Sequence, residues 1–187
     1  VTAHPMADDM GLGKTIQVIS FLEKMYENNK ESHVLLIVPA SLLGNWSKEI
    51  DKFAPRMTYH ILHGKTNILD EDCFATITTY GMALRNEYLQ ERVWDCLILD
   101  EAQAIKNPAT KQTRAIKKIP SKMRIAMTGT PIENDLSNLW SLFDFLNKGL
   151  LGSATDFKNY TKKVQAYPEY ITKLKMMVSP FILRRLK

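Results

Sequence analysis

Five consecutive apolar residues, Val34 to Val38, closed by Pro39, constrain the fold of this 187-residue chain more than any other feature. A strand with one face in water alternates apolar and polar residues. An unbroken run implies burial on both faces, as in a parallel sheet covered by helices. The rhythm recurs: Met57 to Leu62, Cys73 to Thr79, Cys96 to Leu99 and Arg124 to Met127 also read as strands. Helical segments separate them. Ile16, Ile19, Leu22 and Tyr26 repeat at helical spacing until Asn28 and Asn29. Ser41 stands as the N-cap of a helix carrying Leu42, Leu43, Trp46 and Ile50, closed by Pro55, while Pro108 to Ile119 and Asp135 to Leu146 are helical again. This alternation predicts an α/β lobe, a mainly parallel sheet flanked by helices, with functional loops at the carboxyl ends of the strands.

The charge is unevenly distributed. Residues 1–152 hold 17 Lys and Arg against 18 Asp and Glu, whereas residues 153–187 hold 8 against 2. The net charge of +5 therefore resides in the tail, through Lys158, Lys162, Lys163, Lys173, Lys175, Arg184, Arg185 and Lys187. The expectation is a two-part chain: a lobe over 1–152 and a basic helical extension over 153–187. An excess of cations suits a polyanion, although a solvated helix face is the alternative. No apolar run approaches the roughly 20 residues of a membrane span. Val1 to Met6 lack the basic cluster and apolar stretch of a secretory signal. Cys73 and Cys96 have no neighbours at metal-ligand spacing and read as buried reduced thiols, so an intracellular location is expected.

The polar motifs fall at the strand ends. Asp8, Asp9, Met10, Gly11, Leu12, Gly13, Lys14 and Thr15 have the character of a phosphate-binding loop. Small residues let backbone N–H groups point at phosphate oxygens, the lysine reaches the terminal phosphates, and the hydroxyl meets Mg²⁺. The general pattern begins with glycine where this chain has Asp8. A second motif, Asp100-Glu101-Ala102-Gln103, follows the run Cys96 to Leu99. One carboxylate at that place can anchor a nucleotide's Mg²⁺, and a second can orient or deprotonate the attacking water. An acidic turn after a buried strand is common in isolation; paired with a phosphate loop, it points to nucleotide hydrolysis. A third motif, Met127-Thr128-Gly129-Thr130-Pro131, offers two hydroxyls that can bond to the acidic motif and sense the γ-phosphate, where an ordinary Gly-Pro turn is the bland reading.

With the three motifs in this order, the chain resembles the N-terminal RecA-like lobe of the Swi/Snf-type DNA translocases of helicase superfamily two. The resemblance rests on ADDMGLGKTIQ at 7–17, VPASLLGNW at 38–46, TTYG at 78–81, DEAQAIKN at 100–107, MTGTPIEN at 127–134, LWSLFDFL at 139–146 and SPFILRRLK at 179–187. It implies ATP and Mg²⁺ as cofactors, with Lys14 and Thr15 on the phosphates and metal, Asp100 on Mg²⁺ through water, and Glu101 as catalytic base. Gln103, Thr128, Gly129 and Thr130 would couple hydrolysis to DNA; Gln103 stands where many relatives carry histidine and keeps the capacity to hydrogen-bond. Pro39, Ser41, Asn45, Thr79 and Tyr80 would meet the DNA backbone, joined by Lys162 and Lys163 of the extension. Such groups offer hydroxyls and amides rather than base-reading side chains, which suits a motor indifferent to sequence. Trp46 reads as a core aromatic, and Tyr80 equally as a strand cap.

The resemblance further implies double-stranded DNA and protein–DNA complexes as partners, no membrane, and a cytoplasmic, nucleoid or nuclear setting. A second RecA-like lobe would supply arginine fingers and half of the DNA clamp, so these residues alone are expected to hydrolyse ATP weakly. Two readings compete with the translocase: an RNA helicase lobe, which the extended motifs disfavour, and a non-catalytic nucleotide-gated interaction module. The family also carries a strand leading into the phosphate loop. With Pro5 at that place, the expectation is either a sheet short of one strand or a truncation.

Overall fold

The structure, a computed structural model, describes residues 2–8, 13–65, 68–129, 136–178 and 183–185. Among the described residues seven strands form one sheet: β1 (Thr2–Asp8), β2 (Val34–Val38), β3 (Tyr59–Leu62), β4 (Ala75–Thr79), β5 (Trp94–Leu99), β6 (Ser121–Thr128) and β7 (Leu183–Arg185). Their spatial order is β3-β4-β2-β5-β6-β1-β7, and every pairing is parallel. All carboxyl ends therefore lie along one edge.

The unbroken apolar strands are buried on both faces, as expected. Leu35 and Ile37 of β2 face one core together with Leu97 and Leu99 of β5. Their neighbours Val34, Leu36 and Val38 face the other core with Cys96 and Ile98. The period of two in a strand thus divides one apolar run between two cores. Helix α1 (Lys14–Asn28) sends Val18, Ile19 and Leu22 into the second core, and α2 (Leu43–Phe53) adds Trp46 and Ile50. Each such side chain, fully buried, stabilises the fold by roughly 1.5–3 kcal/mol. The opposite face is covered by α3 (Tyr80–Arg85), α4 (Lys111–Lys117) and α5 (Leu136–Leu146).

Three expectations are corrected. Residues around Pro5 form β1, which pairs with β6 along Thr2 to Ala7, so the sheet keeps a strand before the phosphate loop. Pro5 stands opposite Ala126 of β6, and among the described residues the pairing of β1 with β7 runs from Met6 to Asp8. Ser41 does not cap α2; it lies within a 3₁₀ turn, Ala40–Leu42, and α2 starts at Leu43 without a side-chain cap. The expected helical run over 153–187 comprises α6 (Ala154–Ala166) and α7 (Glu169–Val178) but includes β7, which returns to the sheet beside β1.

Helix α6 starts with a capping box between Ser153 and Asp156. Phe157 of α6 and Leu174 of α7 join the apolar cluster beneath α5, and the Tyr160 hydroxyl donates to the Tyr170 carbonyl at 2.9 Å. Both helices are thereby packed onto the lobe. Cys96 is buried, and burial pushes its thiol up to about 12; Cys73 is half-buried, and burial with the neighbouring Asp70 pushes its thiol up to about 11. Both cysteines are free thiols.

Candidate active site

The carboxyl edge brings the sequence motifs together because β1, β6, β5, β2 and β4 are neighbours in that order. Asp8 ends β1. Asp9, Met10, Gly11 and Leu12 lie outside the described residues, as does Thr130 of the third motif. Gly13 has φ 79° and ψ 26°, a left-handed conformation that an L side chain adopts only under strain. Among the described residues nothing lies within 4 Å of where a Cβ would stand, so the need for glycine visible here is conformational. Lys14 and Thr15 then open the 15-residue α1, whose first turn carries no acidic residue. The N–H groups of such a helix start are oriented toward an anion.

Asp100 follows β5, and its N–H extends the ladder by donating to the Ile37 carbonyl at 2.9 Å. That bond places the carboxylate at the rim of the sheet while leaving the residue only 9% exposed. Oδ1 accepts the Glu101 N–H at 2.9 Å, and Oδ2 accepts the Trp46 indole N–H at 2.8 Å. Burial holds the Asp100 carboxyl above the usual carboxylate range. The Trp46 and Glu101 donors and the Lys14 charge oppose that rise, while the Glu101 charge reinforces it.

Glu101 has φ 50°, the sole positive φ at a non-glycine among the described residues. Such a conformation costs about 1–3 kcal/mol and persists only where neighbours impose it. The neighbours are identifiable: the Asp100 carbonyl accepts the Tyr80 hydroxyl at 2.6 Å, and the Glu101 carbonyl accepts the Ala104 N–H at 3.1 Å. From the side, the Gln103 amide donates to Glu101 Oε2. Thr128, at the end of β6, donates its hydroxyl to Gln103 Oε1 at 3.0 Å. A chain of hydrogen bonds thus runs from the third motif through glutamine to the acidic motif, with Gly129 directly beyond Thr128.

The residues expected at DNA divide. Ser41 is exposed in the 3₁₀ turn before α2, Asn45 is exposed in the first turn of α2, Pro39 is half-buried just after β2, and Lys162 and Lys163 are exposed on α6. Thr79 and Tyr80 are buried instead. Thr79 caps α3 by accepting the Met82 N–H, and Tyr80 is packed behind Asp100, where burial and the two nearby carboxylates drive its phenol well above the usual tyrosine range. Trp46 is wholly buried, as a core aromatic should be, yet its polar edge reaches the acidic motif. Sequence reading missed this double role of Trp46 and the bond from Tyr80. Contacts between residues 54 and 20 positions apart leave no trace in local spacing.

The donor set fits a hard divalent cation. A threonine hydroxyl and one carboxylate are oxygen donors of the kind Mg²⁺ accepts while keeping waters and phosphate oxygens in the rest of its shell. Among the described residues there is no group of three or more His, Cys, Asp or Glu that could hold a metal ion.

Comparison with known proteins gives a consistent picture. The SNF2-related domain family matches residues 5–187. YwqA of Bacillus subtilis, a candidate ATP-dependent helicase/translocase, is 42% identical over 194 residues, covering 97% of this chain and 21% of its own length. The human DNA excision repair protein ERCC-6-like is 44% identical over 168 residues, covering 82% of this chain and 13% of its own. The SWI2/SNF2 ATPase core of Sulfolobus solfataricus, solved in complex with double-stranded DNA, superimposes with a TM-score of 0.94 at 44% identity, over 98% of this chain and 40% of that one. The chain thus spans about a fifth or less of the length of these curated relatives.

Proposed function

The chain belongs to the SNF2-related family, and from that premise we propose that it is the ATP-binding and hydrolysing lobe of a motor that tracks along double-stranded DNA and remodels protein–DNA complexes. The observation that supports this best is the strand-end pair Asp100-Glu101 at the carboxyl edge, tied through Gln103 to Thr128, with the Lys14 charge at the start of α1 acting on Asp100. In this reading the α1 N-terminus and Lys14 bind the phosphates, and Thr15 and Asp100 hold Mg²⁺, Asp100 through water. Bound there, Mg²⁺ would neutralise charge developing on the transferred phosphoryl group. Glu101 takes the proton of the attacking water. Thr128 and Gln103 orient that carboxylate, so a shift at the end of β6 moves the base.

Segment 1–152 is the catalytic lobe in this proposal, and 153–187 leads toward a second lobe. Pro39, Ser41 and Asn45 would face the DNA backbone, with Lys162 and Lys163 as further phosphate contacts. Arginine fingers from a second lobe contribute about 10³–10⁵ in rate, so these residues by themselves should bind ATP better than they hydrolyse it. Work on DNA implies a location in the cytoplasm, nucleoid or nucleus; no helix among the described residues is long and apolar enough to cross a membrane.

Calorimetry with ATP and Mg²⁺ tests the proposal. The chain should bind, and Lys14→Ala should weaken binding by about 100-fold, the loss expected from removing a strong charge-assisted contact. Binding that ignores the Lys14 substitution, or no binding at all, would count against it.

A further inference from the structure

Asp100 is gripped from two sides by aromatic residues that belong to neither the phosphate loop nor the acidic motif. Trp46 is on α2, one turn beyond the 3₁₀ turn Ala40–Leu42, and its indole N–H reaches Asp100 Oδ2 at 2.8 Å. Tyr80 opens α3, directly after β4, and its hydroxyl reaches the Asp100 main-chain carbonyl at 2.6 Å. The two bonds have different consequences. An indole has one N–H and no rotor freedom in a packed core, so it fixes the rotation of the carboxylate. The tyrosine hydroxyl fixes the peptide plane between Asp100 and Glu101. The N–H of that plane is already committed to Asp100 Oδ1, so the plane is pinned at both ends, and with the Glu101 carbonyl held by the Ala104 N–H the left-handed φ of 50° lies between two fixed planes.

We propose that Trp46 and Tyr80 are positioning residues for the Asp100-Glu101 pair, Trp46 orienting the metal-facing carboxylate and Tyr80 the backbone that aims Glu101. This inference rests on the proposed function. It also gives that function a mechanical link: Pro39, Ser41 and Asn45, the proposed DNA-facing residues, lie on the segment that ends in Trp46. A displacement of the first turn of α2 must carry the indole with it, and through one hydrogen bond the carboxylate. Tyr80 plays the same part for the end of β4. Neither aromatic ring would touch substrate, and the buried ring of Trp46 simultaneously fills the core beneath α2.

The test is the gain in ATP affinity on adding Mg²⁺, measured by calorimetry on the whole chain in EDTA and then in Mg²⁺. Trp46→Phe removes the N–H and keeps an aromatic ring. It should leave metal-free binding unchanged and lower the Mg²⁺ gain roughly ten-fold, the size expected for a lost hydrogen bond to a charged group. Tyr80→Phe removes a single oxygen and should lower the gain by about five-fold, since the accepting carbonyl is uncharged. Trp94→Phe is the control, because Trp94 is equally buried and donates its indole N–H to the Leu89 carbonyl, away from the acidic motif. It should lower the unfolding temperature and leave the Mg²⁺ gain intact. A full Mg²⁺ gain in both Trp46→Phe and Tyr80→Phe would overturn the inference, as would an equal loss in Trp94→Phe. Tyr80→Phe keeps the question decidable if the Trp46 variant does not fold. Wild-type protein that fails to bind ATP at all would instead remove the proposed function on which the inference stands.

Discussion

The sheet carries buried charge near both of its edges, and the two places treat it differently. Toward the amino ends of the strands, Lys117 and Asp144 form an ion pair at 2.9 Å with side chains only 16% and 17% exposed. Beside them Arg124 donates to Ser121 Oγ and to the carbonyls of Phe145, Lys117 and Ile119, and its guanidinium lies over the Phe145 ring. Lys117 likewise sits 4.7 Å from the centre of the Trp140 ring. Each charge there has a fixed counterpart or several acceptors supplied by the fold. At the carboxyl edge the Asp100 carboxylate is bonded by an indole and a peptide N–H, both neutral donors, and Glu101 by a neutral amide. Neutral donors orient a carboxylate without cancelling its charge. A buried charge closed into an ion pair stabilises architecture, whereas one bonded by neutral donors, with the Lys14 charge acting on it as well, remains available to a cation.

Breaking the closed cluster should therefore cost stability and spare binding. Asp144→Ala leaves Lys117 half-buried without its partner and should destabilise the lobe by about 3 kcal/mol. Denaturant unfolding measures that loss, and calorimetry should show ATP affinity unchanged. An equal loss of nucleotide affinity would mean the two edges are not separable.

The open cluster should respond in the opposite sense. Glu101→Gly relieves the left-handed strain and is expected to raise unfolding free energy by about 1 kcal/mol, while abolishing whatever hydrolysis the lobe supports. A destabilised Glu101→Gly protein would show that the bonds from Gln103 outweigh the strain.

The smallest effect belongs to a charge at neither edge. The Ser153 hydroxyl, foremost, and then the Ser153 N–H, donate to Asp156 and hold its carboxyl below the usual range. A depressed carboxylate contributes stability above its unfolded pKa and loses it as pH falls through the lower folded value. Fraying of α6 should therefore begin under acidic conditions below about pH 4. Ser153→Ala should abolish that dependence and cost up to about 1 kcal/mol. Helical circular dichroism against pH, compared between the two proteins, would sharpen the contrast between a solvent-exposed capping charge and the enclosed ones.

Much of the architecture was legible because it depends on local pattern. The run Val34 to Val38 could be buried on both faces only in a covered sheet, and the strands ending at Leu99 and Thr128 carried their motifs to its carboxyl edge. The misses share a cause. Pro5 looked incompatible with a strand, yet it lies within β1, opposite Ala126 of β6. Leu183 to Arg185 has no strand-like pattern, yet these residues pair with Met6 to Asp8 as β7. Tyr80 reads equally as a DNA contact and as a strand cap from the sequence, and the fold turns its ring inward behind Asp100.

The sequence alone determined the class of fold and the chemistry on offer: glycine, lysine and threonine at a helix start, paired carboxylates after a buried strand, and hydroxyls after another. These follow from residue type and short-range spacing, which act through local sterics and periodic burial. Tertiary structure alone decided which groups orient which. That Trp46 and Tyr80 converge on Asp100, and that Gln103 joins Glu101 to Thr128, depends on strand order and on bonds a few ångströms long between distant positions. Directional contacts of that kind exist only after the sheet has assembled.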